Sequence, residues 1–228
     1  MSVAQNISLI RERIAVACRR AGRQPDEVTL VAVTKTVLAP MIREALAAGI
    51  TTIGENRVQE ASGKFAEIDE AAAWHLVGHL QTNKVKKALS IFSVIQSVDS
   101  SRLAEEIQRH AELSGRFVEV YLEVNTSGES SKFGIEPKHA VELARRISQL
   151  SNLRLNGLMT IGALTPDRER LRGCFWLLRQ LRDEINATHL QNVKLQTLSM
   201  GMTDDFEMAI EEGSTMVRIG RAIFGERT

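Results

Sequence analysis

Apolar residues along this chain gather in eight short runs, and between the runs they recur every three or four positions. The first run, Val28-Thr29-Leu30-Val31-Ala32-Val33-Thr34, is β-branched and aliphatic throughout and delivers Lys35 at its far end. A run without polar alternation predicts a strand covered on both faces, as in a parallel sheet packed under helices. Further strands are expected over 51–54, 74–78, 92–98, 117–124, 153–160, 193–198 and 215–219. An additional helix over 3–21 precedes them, with Val3, Ile7, Ile10 and Ile14 at helical spacing as a stripe suited to packing on a core.

Punctuation between the runs fits the same scheme. Pro40 falls in the first turn of the second helix and Gly49 just past its end, the usual proline-first, glycine-last asymmetry. Glu55-Asn56-Arg57 leads into a helix reaching about Asp69, and another is expected over 83–89. Asp99 or Ser100 caps a helix to about Leu113, and after a polar loop over 125–136 comes a helix over 139–150. Thr165-Pro166 supplies a cap and first-turn proline for a long helix to about Asn186. The last strand is preceded by a helix over 203–212, closed by Gly213, and followed by a short helical tail. Eight strands alternating with helices describe a single (β/α)8 TIM barrel over 1–228 with an extra N-terminal helix. An open Rossmann sheet is the rival; no G-x-G-x-x-G follows the first strand, and eight is the natural closing count.

Composition narrows the partners. With 29 basic and 28 acidic residues interspersed, the net charge of +1 marks no surface for nucleic acid or an anionic membrane, and a small-molecule ligand is expected. Two cysteines, Cys18 and Cys174, lie far apart in helical segments, which suggests neither a metal cluster nor a disulfide framework and points to a reduced, cytoplasmic setting. No apolar run reaches membrane-spanning length. The arginines of residues 1–24 carry a bias shared with organelle transit peptides, but the apolar stripe there favours a structural helix.

In such barrels chemistry lies at the carboxyl ends of the strands, and a phosphate site often forms after strands seven and eight. After the seventh stands Ser199-Met200-Gly201-Met202-Thr203, and after the eighth Arg218-Ile219-Gly220-Arg221. Hydroxyls, glycines and helix starts of this kind cradle phosphate through backbone N–H groups. Asp204 and Asp205 would compete for the positive end of the same helix unless their carboxylates point away. Barrel closure makes strands eight and one neighbours, so Lys35 joins this cradle. A lysine whose amine is activated by burial and neighbouring cations attacks aldehydes, whereas an ordinary one is merely solvated. An aldehyde on a phosphorylated ring, pyridoxal 5′-phosphate (PLP) held on Lys35 as a Schiff base, satisfies both ends.

These segments also resemble a known family. Ala32-Val33-Thr34-Lys35, Ile53-Gly54-Glu55-Asn56, the stretch Trp74–Lys84, Leu158-Met159-Thr160, Leu198–Phe206 and Val217-Arg218-Ile219-Gly220 are similar, in order and over nearly the whole chain, to the pyridoxal phosphate homeostasis proteins. The resemblance implies an alanine racemase N-terminal domain-like barrel with PLP on Lys35, a role in PLP and amino-acid homeostasis, and no established reaction. It puts Ser199, Thr203 and the backbone of 200–202 and 219–221 on the phosphate, Arg218 beside the pyridine nitrogen and Asn56 near the ring. Two positions depart from the family's pattern: threonine at 203 where serine is common, and Arg221 where a small hydroxyl residue is frequent.

Other candidates carry two readings each. His75 and His79 stand four apart, as helical metal ligands do, yet they bracket a strand end and so need not share a face. His79, with Asn83 and Lys84, either lines the mouth of the site or belongs to a loop network. Met159, Met200 and Met202 either wall the ring or simply pack. Lys132 in Ser131-Lys132-Phe133-Gly134 belongs either near the site or in solvent. A PLP-binding homeostasis protein, transiently contacting PLP-dependent apo-enzymes and monomeric, is the leading function. The alternatives are a PLP-dependent amino-acid racemase, which needs a second base where this chain has one tyrosine, Tyr121, and an aldolase using Lys35 directly.

Overall fold

The computed structural model describes residues 1–68 and 72–225. Its eight strands are β1 (Thr29–Val33), β2 (Thr52–Glu55), β3 (Ala73–Leu76), β4 (Val94–Val98), β5 (Val118–Glu123), β6 (Leu153–Met159), β7 (Val193–Ser199) and β8 (Met216–Ile219). All pair in parallel in chain order, and β8 returns to β1 to close the barrel. The helices outside it are α1 (Val3–Arg20), α2 (Ala39–Ala47), α3 (Val58–Ile68), α4 (Val85–Leu89), α5 (Ser101–Leu113), α6 (Ala140–Ser148), α7 (Arg168–Ala187), α8 (Phe206–Glu211) and α9 (Arg221–Phe224).

Helix α1 forms because Ser2 and Gln5 make a reciprocal capping box and because Val3, Ile7, Ile10 and Ile14 share one face. That face is buried against α2, α8 and α9, in a cluster with Ala32 of β1, Phe206 and Ile210 of α8, Val217 and Ile219 of β8 and Ile223 of α9. Helices α8 and α9 are only six and four residues long. The extra helix therefore covers the stretch of barrel wall around β8 and β1 that they leave bare. Removing one of its buried isoleucine side chains would cost roughly 2–5 kcal/mol.

Some boundaries differ from expectation. The long helix α7 is capped by Asp167, whose carboxylate accepts the N–H groups of Glu169 and Arg170, while Thr165 and Pro166 stand before the cap. The helix expected over 203–212 begins at Phe206, because Asp205 folds back to accept the Met202 N–H at 2.5 Å and makes 202–205 a turn. The expected end of α3 at Asp69 lies outside the described residues.

Side chains alternate between the inside of the barrel and the helices. Val31, Val94, Tyr121, Met159 and Met216 fill a middle layer of the interior. Val33, Lys35 and Arg218 belong to the layer above, at the carboxyl ends.

Candidate functional site

Pairing of β1 with β8 sets Val31 opposite Arg218, and pairing of β1 with β2 sets Val33 opposite Gly54. The register brings the ends of β1, β2 and β8 to one rim. There Lys35, Asn56, Met202, Thr203, Arg218, Gly220 and Arg221 line a single cavity of about 450 Å³, within the usual range for small-ligand sites. Val33, Val77, Ile161 and Asp204 complete its wall. Of these four, only Asp204 stood out in the sequence, as a carboxylate beside the expected phosphate cradle. Val33 was legible from strand parity, since it lies two residues before Lys35 on the same face.

Lys35 occupies a turn closed by the Val37 N–H on the Thr34 carbonyl at 2.9 Å. The next residue, Thr36, takes φ 63°, a left-handed conformation that costs a non-glycine residue roughly 1–2 kcal/mol. Two side chains of α3 hold it. Glu60 accepts the Thr36 N–H, and Lys64 donates to the Thr34 carbonyl at 2.6 Å. Lys64 also donates to Glu55 at 2.8 Å and Glu60 at 2.6 Å, and Thr34 Oγ1 donates to Glu55 at 2.6 Å. Glu55 is fully buried, and burial raises its pKa against the opposing pull of Lys64. The turn that presents Lys35 is thus pinned from outside the barrel. Asn56 is placed by close packing: a Cβ on Gly78 would come within 2.4 Å of the Asn56 carbonyl oxygen.

Arg218 is buried, and burial pulls its pKa down to about 10, so it stays a cation at neutral pH. Its Nη1 donates to Ser199 Oγ and its Nη2 to the Thr160 carbonyl, each at 2.8 Å. Among the described residues no carboxylate comes within ion-pair distance of it. Glu123 and Asp205 act on it only through space. Glu123 is itself buried, with Oε2 unpartnered among the described residues, and burial together with Asp99 pushes it up to about 7.

The opposite end of the cavity is built from the loops after β7 and β8. Gly201, at φ 96°, packs against Phe206 and Ala209, where a Cβ would come within 2.7 Å of Ala209 Cβ. Thr203 Oγ1 accepts the Ala222 N–H at 3.4 Å, tying one loop to the start of α9. The amides of Thr203, Gly220 and Arg221 make no backbone hydrogen bond among the described residues. Asp204 does turn away from the helix end: its carboxylate takes Arg221 Nη2 at 2.5 and 2.7 Å. The Arg221 side chain is therefore neutralised at the rim and adds no free charge there.

Not every expected contact shares this cavity. Ser199 is fully buried, with its hydroxyl between Arg218 and Gln96, and does not line the cavity. Met159 packs in the interior layer below, Met200 in the core under the helices and Ile219 against the α1 side; all three are fully buried. Strand alternation explains this, because neighbours in one motif face opposite ways. His79 stacks on Phe133 with ring centroids 4.0 Å apart and approaches Asp99 at 3.5 Å, making it part of the mouth's loop network. His75 points into the barrel, away from His79, and bonds Gln96 at 2.8 Å. Lys132 is paired with Glu129 at 3.0 Å and the Gly162 carbonyl at 2.7 Å, so it is not a solvated lysine.

A closed parallel barrel with a lysine after its first strand and a glycine-loop cradle after its last two has the architecture of the alanine racemase N-terminal domain, whose family model matches residues 5–228. The chain is 44% identical over 228 residues to the pyridoxal phosphate homeostasis protein of Aquifex aeolicus, covering 100% of this chain and 99% of that one. Against the protein of that name from Pseudomonas aeruginosa it is 43% identical over 99% of this chain and 96% of the other. The chain belongs to the pyridoxal phosphate homeostasis protein family. Among solved structures, a protein described as unknown from Bifidobacterium adolescentis superposes with a TM-score of 0.95 at 42% identity, over 97% and 94% of the two chains. PipY of Synechococcus elongatus, solved with PLP bound, superposes with a TM-score of 0.85 at 35% identity, over 98% and 100%. An alanine racemase of Clostridium difficile shares the fold alone, at 14% identity and a TM-score of 0.77.

Proposed function

We propose that this protein binds pyridoxal 5′-phosphate in the barrel-mouth cavity, holds it covalently through Lys35, and serves PLP and amino-acid homeostasis by sequestering or delivering it. The observation that carries the proposal is one cavity lined at once by Lys35, by the buried cation Arg218 and by the loop residues Thr203, Gly220 and Arg221. When bound, PLP supplies an aldehyde that condenses with a primary amine, and a phosphate that needs N–H and hydroxyl donors. The residues present fit it. Lys35 brings the amine, the amides of 203, 220 and 221 with Thr203 Oγ1 form the anion end, and Asn56, Val77 and Met202 flank the space between. The names of the relatives and the PLP found in PipY support the same reading.

We infer a binding protein rather than an enzyme. A guanidinium such as Arg218 beside the pyridine nitrogen disfavours its protonation and makes the ring a poorer electron sink than a carboxylate partner would. Tyr121, the chain's one tyrosine, lies in the layer below the cavity, where burial raises its phenol pKa well above the usual range. It is no second base for racemisation. Both cysteines are buried and free, in keeping with a reducing cytoplasmic setting. We further assign a monomer that meets apo-enzymes transiently.

Absorbance and intact mass of the purified protein test this. A yellow protein with one borohydride-fixed PLP on Lys35, lost in Lys35→Ala, is expected. A colourless protein unmoved by added PLP would overturn the assignment, rapid α-proton exchange from amino acids would overturn its non-enzymatic part, and a stable dimer by light scattering the monomer.

A further inference from the structure

Below the cavity runs a line of buried polar groups that the PLP reading does not use. Gln96, fully buried on β4, places its Nε2 2.8 Å from His75 Nδ1 and 3.2 Å from Met216 Sδ. Burial pulls the His75 pKa down to about 4, so the ring is neutral at physiological pH and Nδ1 can offer a lone pair. With the His75 proton on Nε2, Nδ1 and Met216 Sδ both accept from the NH₂ end, which turns the amide oxygen the other way. There it accepts Ser199 Oγ–H at 2.6 Å. A hydroxyl has one proton, so Ser199 presents only lone pairs to Arg218, whose Nη1 donates to it at 2.8 Å. The Thr160 carbonyl takes Nη2 at 2.8 Å. Two fixed points set the plane of a rigid guanidinium. Its other donors meet no acceptor among the described residues, on a side chain that lines the cavity.

We propose that Gln96 is a positioning residue: acting through Ser199, it fixes the direction in which the Arg218 guanidinium faces the ligand cavity. The inference rests on the PLP reading for its ligand but not for its geometry. It gives Ser199 a role consistent with its complete burial, as the link between Gln96 and Arg218 rather than a phosphate ligand. It also explains a glutamine inside the apolar run Val94-Ile95-Gln96-Ser97-Val98, where an unsatisfied amide would be costly.

Two measurements on the full chain test it. In ligand-free protein, NMR should show slowly exchanging Arg218 Nη–H resonances that vanish in Gln96→Leu and return in Gln96→Glu, whose buried, protonated carboxyl keeps an oxygen acceptor for Ser199 and an O–H donor for His75. In PLP-loaded protein, Gln96→Leu should shift the pH midpoint of the yellow band and weaken PLP binding ~10-fold, or about 1.4 kcal/mol, while borohydride still fixes PLP to Lys35. Gln96→Glu should restore the midpoint. Should Gln96→Leu fail to fold, Ser199→Ala cuts the same link and must give the same losses. Unchanged Arg218 resonances and an unchanged midpoint, with or without a lower melting temperature, would overturn the inference. Absence of any PLP adduct in the unmodified protein would overturn the PLP reading instead, and the Arg218 resonances would still decide the role of Gln96.

Discussion

The ammonium of Lys64 lies 2.8 Å from the carboxylate of Glu55, a pair in which Glu55 is fully buried and Lys64 reaches on to the carbonyl next to Lys35. Removing one member of a buried pair strands the other. Lys64→Met is therefore expected to lower stability by ~3 kcal/mol in urea denaturation. It should also slow PLP fixation on Lys35, since the turn at 34–37 loses one of its two anchors. A variant with full stability would show that the pair is not a structural element.

Gly78→Ala tests the packing that places Asn56. The added methyl must displace the Asn56 backbone, and overpacking of this kind costs ~1–3 kcal/mol. A lower melting temperature together with weaker PLP binding is expected. Unchanged binding would separate Asn56 from the site.

Glu123 provides a pH test with a definite sign. The folded protein holds its proton up to about 7, whereas the unfolded chain releases it near the ordinary glutamate value. Between those values the folded state carries the extra proton, so this group's contribution to stability declines as pH rises and is lowest above about 7. Glu123→Gln should accordingly stabilise the protein at pH 8, on the order of 3 kcal/mol, with the gain shrinking toward zero near pH 4. Equal gains at both pH values would contradict a raised carboxyl.

Asp204→Asn releases Arg221 at the rim. Both side chains are largely exposed, so the melting temperature should not move. Phosphate-bearing ligands should bind several-fold tighter at low salt, and the advantage should fade as salt rises. Weaker binding would mean that Asp204 itself holds the ligand.

Much of the fold was legible because each feature rests on local physics. Strand runs, the Pro40 and Gly49 signals and the α1 stripe all appear where those residues predict them. So does the meeting of Lys35, Thr203, Arg218 and Gly220, which follows from closing eight strands. What stayed hidden is which side of the wall each residue faces. A strand buried on both sides gives no polar alternation to read, and shifts in register within β4 and β6 break the parity that would replace it. Alternation parts Ser199 from Met200 although they are neighbours in the chain, but it does not say which of the two faces inward. Gln96 and Glu123 stand as polar residues in apolar runs, a signal of interior function that no motif marks. The Lys64 clamp on the Lys35 turn had no sequence signal, because it depends on how α3 lies over β1 and β2.

The pairing of β8 with β1 joins the chain's first strand to its last. Lys35 is synthesised before Arg218 and Gly220, which follow 183 and 185 positions later. Without that seam, the cavity that Lys35 lines would lack the wall that Arg218 and Gly220 supply. Occupancy then reports completion: a ligand gripped from both sides of the seam favours the sealed cylinder over any opened form, by RT ln(1 + [L]/Kd).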